Sequence, residues 1–196
     1  MRYLVALLAL FLCSATVAQD TPKPAEPEFA GSFFFLQRDS TLKVLERQRV
    51  SISMKTRGLG YGGIRYFYKM EGAHSPLRVN SANLPPIIVK LENANTDPAN
   101  VVVLYPVQSA NGKRELPYMA AGFFFSKEKD TQPKQIPLKF ARYGQASVQV
   151  TPQNPLMPGE YAILADSGTR GPHAIVSDDG VIQQQLLLFC FGVDAN

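Results

Sequence analysis

Residues 156–164 read Leu156-Met157-Pro158-Gly159-Glu160-Tyr161-Ala162-Ile163-Leu164. Proline presets the backbone of a turn and glycine supplies conformations other residues avoid, so Pro158-Gly159 marks a reversal. Tyr161 then opens a short apolar run, Tyr161 to Leu164, of the length expected for a core strand. The same grammar repeats along the chain. Val50, Ile52 and Met54 alternate with Ser51, Ser53 and Lys55, and Ile64, Tyr66, Tyr68 and Met70 alternate with Arg65, Phe67 and Lys69. That period of two is the mark of a strand with one buried face. Further strands are expected over 30–37, 86–91, 101–107, 118–125, 136–143, 147–151, 160–165 and 183–193, with a short piece at Leu77 and Val79. Turn signals fall at Gly72, Asp97-Pro98, Asn111-Gly112, Gly144, Pro158-Gly159 and Asp179-Gly180. No helical stripe stands out after residue 28, although one turn of helix within 112–121 stays open.

The corner around Tyr161 resembles the tyrosine corner of immunoglobulin-like sandwiches, in which the phenol folds back onto the backbone before the turn. The resemblance implies a hydroxyl bonded near Pro155 or Leu156, with the ring buried and its polar tip satisfied. The fold expected is therefore all-β, an immunoglobulin-like antiparallel β-sandwich of about ten strands, with a β-barrel as the alternative. The likeness covers one corner and carries nothing about activity. The antibody disulfide is missing, and the chain has no Trp.

The N-terminus reads as an export signal. The amino terminus and the Arg2 guanidinium supply positive charge, 3–17 is uncharged, and Thr16-Val17-Ala18 offers small residues to a signal peptidase. Fifteen helical residues span roughly 23 Å, short of the roughly 30 Å hydrocarbon core. The chain thus divides into a cleavable signal (1–18), a Pro-rich linker (19–28) and a single β-domain (29–196), exported to the periplasm or beyond, with no transmembrane span after cleavage. Leu12 is too large for the position before a lipidated Cys13. Cys190 is the cysteine left after cleavage, inside an apolar run, so no internal disulfide or cysteine metal site is expected.

Charge is unevenly spread. Residues 38–78 hold nine Lys/Arg against three Asp/Glu, a local +6, whereas 79–196 hold nine against ten. Such asymmetry suits an anionic partner, either a protein or an envelope glycan, and an exported chain without a recognition motif is not expected to bind nucleic acid. Catalytic signatures are weak. Ser75 beside its own His74 is no triad, because neighbours on a strand point to opposite faces. A metal site on His74 and His173 lacks ligand spacing. Gly58 to Gly63 precedes a strand, not the helix a phosphate loop needs. Asp178-Asp179 is too sparse for calcium. No cofactor, metal or catalytic residue is therefore assigned.

Two places stand out for partner contact. One is the basic, tyrosine-bearing hairpin of Arg57, Tyr61, Arg65 and Lys69. The other is the irregular stretch 166–179, with Arg170 and His173. Arg and Tyr are the residue types that anchor interfaces, and loops on a rigid scaffold commonly bind. The function expected is a non-enzymatic binding or envelope-assembly module. The alternatives are a hydrolase or carbohydrate-processing enzyme drawing on Glu160, Asp166 or Glu115, and a structural envelope protein that associates with itself.

Overall fold

The computed structural model describes residues 24–56, 64–121, 134–165, 174–176, 182–184 and 186–195. In chain order the strands are β1 (Phe33–Leu36), β2 (Leu42–Val44), β3 (Glu46–Arg49), β4 (Ser51–Thr56), β5 (Ile64–Glu71), β6 (Arg78–Asn80) and β7 (Ile87–Lys90). A single helical turn, Pro98–Val101, follows, capped by the Asp97 side chain on the Ala99 N–H. Then come β8 (Val102–Ala110), β9 (Lys113–Ala121), β10 (Leu138–Tyr143), β11 (Ser147–Pro152), β12 (Gly159–Ala165), β13 (Ala174–Val176), β14 (Ile182–Gln184) and β15 (Leu187–Asp194).

The fold is all-β, and its two large sheets combine both expected architectures. One sheet has the order β10-β11-β7-β1-β2. The other runs β3-β15-β12-β8-β9-β5-β4 and nearly closes into a barrel, because β3 and β4 are consecutive parts of one run joined at Val50. β3 pairs with β15 at one edge, and β4 pairs with β5 at the other. Pairing is antiparallel except that β6 lies parallel to β15. The β8–β9 hairpin turns at Asn111-Gly112, both with positive φ (52° and 73°), the requirement of a two-residue turn matching strand twist.

Strands β12 and β15 serve two cores because successive side chains point to opposite faces. Tyr161, Ile163, Phe189, Phe191 and Val193 face the five-stranded sheet and meet Phe33, Phe35, Ile87, Val89 and Val150. Phe191 sits at the centre, stacked on Tyr161 at 5.5 Å and edge-on to Phe35 at 5.2 Å. Burying such a ring contributes about 1.5–3 kcal/mol. The alternate residues, Ala162, Leu188 and Cys190, face the barrel interior with Val50, Met70, Val107 and Leu116.

Four expectations are corrected. β9 starts at Lys113, not 118, so residues 113–121 are strand and no helical turn forms there. Residues 42–49, left unassigned by the pattern, form β2 and β3. The expected strand 183–193 is divided into β14 and β15. The stretch 166–179 is not wholly irregular, since it contains β13. The tyrosine corner is present, but the Tyr161 hydroxyl donates to the Met157 carbonyl at 2.6 Å, one residue nearer the turn than expected.

Candidate functional site

One end of the barrel interior is filled by charge. Arg114 lies on β9 next to Leu116 in the inward-facing series, and 1 % of it is exposed. Glu46, on the inward face of β3, receives both its NH1 (2.7 Å) and NH2 (2.8 Å) groups. Paired parallel bonds of this kind are the strongest geometry a guanidinium offers a carboxylate. Two further donors are committed: Nε to the Gly72 carbonyl at 3.1 Å and NH2 to the Glu71 carbonyl at 2.9 Å. Gly72 adopts φ 79°, which carries the chain away from β5 while presenting these carbonyls to the guanidinium.

Glu160 opens β12 with its side chain on the same inward face, and it completes the cluster. Its Oε2 accepts the Ser75 N–H at 2.8 Å and lies 4.0 Å from Arg114 NH1. Its Oε1 accepts Arg78 NH1 at 2.6 Å and lies 3.2 Å from His74 Nδ1. Arg78 also grips Asp194 through Nε and NH2. It reaches both acids by crossing the β15 backbone at Gly192, where a Cβ would lie 2.3 Å from its NH1.

The electrostatics follow from these contacts. Burial alone raises the Glu46 carboxyl, but hydrogen bonds from Arg114, Ser75 and Gln48 outweigh it and hold the group below its ordinary range. Burial likewise opposes the charge on Arg114, and Glu46 reverses the balance. Hydrogen bonds to Asp194 and Glu160 raise Arg78, and Arg78 in turn lowers Asp194. Cys190, buried beside this cluster, is pushed up to about 12 by desolvation. Glu46 stays ionised at neutral pH and cannot act as a proton donor. Ser75 is buried at 1 % exposure, and its hydroxyl accepts the Leu77 N–H at 3.2 Å. The cluster is a buried ion plug at one end of the barrel. An open groove of about 660 Å³ between Phe34, Val44, Arg47 and Leu77 reaches it from outside at Glu46.

Of the carboxylates considered for hydrolysis, Glu115 and Glu160 are among the described residues, and each is engaged with a cation. Glu115, 6 % exposed, accepts Lys55 Nζ at 2.5 Å, Glu160 lies in the plug, and Asp166 falls outside the described residues. Arg57, Tyr61, Arg170 and His173 also fall outside them. Arg65 is placed by its backbone on β5, opposite Lys55 and Ala120. Lys69, half-buried, faces Ser51 and Glu115 on the same strand. His74 is placed at the solvent side of the plug and does not meet Ser75 Oγ. Among the described residues no three groups could hold a metal, and no helix is long and apolar enough to cross a membrane.

Sequence reading named Glu160 and His74 without placing them, and it missed Arg114, Glu46 and Arg78. Glu46 and Arg114 are 68 positions apart, and no local spacing joins them. The one available signal is a strand whose inward position carries an arginine. No family model matches the chain, nor does any curated protein or solved structure.

Proposed function

We propose that the chain is an exported, non-enzymatic β-module that captures an anionic envelope partner, protein or glycan, at the barrel end opposite the ion plug. Strand direction is the observation that carries this reading. β4, β9 and β12 run toward that end, and β5, β8 and β15 run away from it. Thr56, Ile64 and Ala165 are therefore gathered there. The segments bearing Arg57 and Tyr61, and Arg170 and His173, are joined to the fold at those residues. Arg65 is one residue inside the same end, and Lys69 lies about 13 Å further along β5 at roughly 3.3 Å per residue. Segments carried at the end of a scaffold sheet commonly bind partners, and Arg and Tyr are residue types that anchor interfaces.

The test is retention of the purified domain on isolated envelope material. Arg65→Glu with Lys69→Glu is expected to weaken retention at least about tenfold at physiological salt, the scale expected when close charge pairs are reversed. Deletion of 168–177 is the companion variant. Unchanged retention in both variants sinks the reading.

A further inference from the structure

The turn between β10 and β11 is built around one carboxylate. Gly144 takes φ 62°. The next two N–H groups, of Gln145 and Ala146, then point at the two oxygens of Glu26, at 2.8 and 2.9 Å. Ser147 Oγ, on a residue 4 % exposed, adds a third bond at 2.8 Å. Successive N–H groups following a left-handed residue form a concavity suited to an anion, and bonds to a charged acceptor are the stronger class. Space is as specific as polarity, since a Cβ on residue 144 would lie 2.4 Å from Glu26 Cδ. Glu26 comes from 119 to 121 positions earlier, on a segment in no sheet, between Pro24 and Pro27. That segment is tied down again where Lys90 Nζ donates to the Glu28 carbonyl at 3.2 Å.

We propose that the 144–147 turn is a receptor for a carboxylate carried on an extended, proline-flanked peptide, and that Glu26 is its resident ligand. Residues 24–28 are then a clasp closed on the outer face of the five-stranded sheet. When the clasp is lifted, the receptor takes the same acidic segment from a second copy of this chain. Proline on both sides of the acid fixes φ and lowers the ordering cost of the bound form. A short tether gives the cis ligand an effective concentration in the millimolar range, well above that of free chain, so the cis contact outcompetes a second copy in the intact chain.

The test follows the Gln145 and Ala146 amide resonances by NMR in the chain from Gln19 onward. Glu26→Ala is expected to move both and leave distant strands unchanged. A synthetic peptide of residues 20–30 should return them toward the native positions in a saturable titration on the order of millimolar. The same peptide carrying Glu26→Gln should bind about tenfold more weakly, as loss of a charged acceptor predicts. The native chain, whose tethered Glu26 competes for the receptor, should respond more weakly. Gly144→Ala, which cannot coexist with the bound carboxylate, should release the clasp with Glu26 intact and serves if Glu26→Ala fails to fold. Unmoved amides in both variants overturn the proposal, as does equal binding by the Glu and Gln peptides.

Discussion

The two faces of β12 and β15 look onto two interiors held by different forces. Toward the five-stranded sheet the contacts are rings and branched chains, with Phe191 between Tyr161 and Phe35. Toward the barrel axis the filling changes from Met70, Cys190 and Ala162 to Arg114, Glu46 and Glu160. Area removed from water stabilises the first and is indifferent to pH. Mutual neutralisation stabilises the second, and its worth depends on every partner remaining present. One strand can take part in both because a single-residue step along it changes which interior a side chain enters.

The sharpest way to break this contrast is Arg114→Met. It strands Glu46 and Glu160 in a low-dielectric interior and is expected to cost about 3–5 kcal/mol in urea unfolding at pH 7. Adding Glu46→Met should return part of that loss. A cost below about 1 kcal/mol would mean that the plug is not a coupled unit. Phe191→Ala should cost about 3–5 kcal/mol as well, but with a different pH signature. Glu46 has a folded pKa below its ordinary 4.5. Its contribution is therefore complete above that value and is lost as pH falls below it. The native chain and Phe191→Ala should share that acid slope, whereas Arg114→Met should flatten it. Parallel curves for all three would remove the electrostatic half of the comparison. Tyr161→Phe comes next, at about 1 kcal/mol for the bond to Met157, measured in the same unfolding series. The smallest effect sought is chemical. With its thiol pushed to about 12, Cys190 should resist a thiol reagent at pH 8 until the barrel unfolds. Arg114→Met should hasten that reaction far more than Tyr161→Phe, in line with their unequal unfolding costs.

The same contrast explains how much the sequence disclosed. Strands that bury apolar residues, such as β7 with Ile87 and Val89, declare themselves by hydropathy, and the corner at Tyr161 follows from its turn residues. Strands β3 and the start of β9 turn Glu46, Gln48 and Arg114 inward, so a rule equating inward with apolar reads them as surface or loop. The ion plug hid both the strands that carry it and itself. Its partners are brought side by side by barrel closure, which no short window of sequence contains. The clasp was hidden for a related reason. Its receptor is made of backbone N–H groups, and these have no letter in the sequence beyond the glycine that aims them.

The run 46–56, which belongs to both edges of the barrel sheet, also has a consequence in time. Its first half must wait for β15, about 140 positions later, while its second half can zip onto β5 as a local hairpin. Sequence-distant pairing slows folding. The barrel therefore cannot shut until residues 187–190 have been made and can pair with β3.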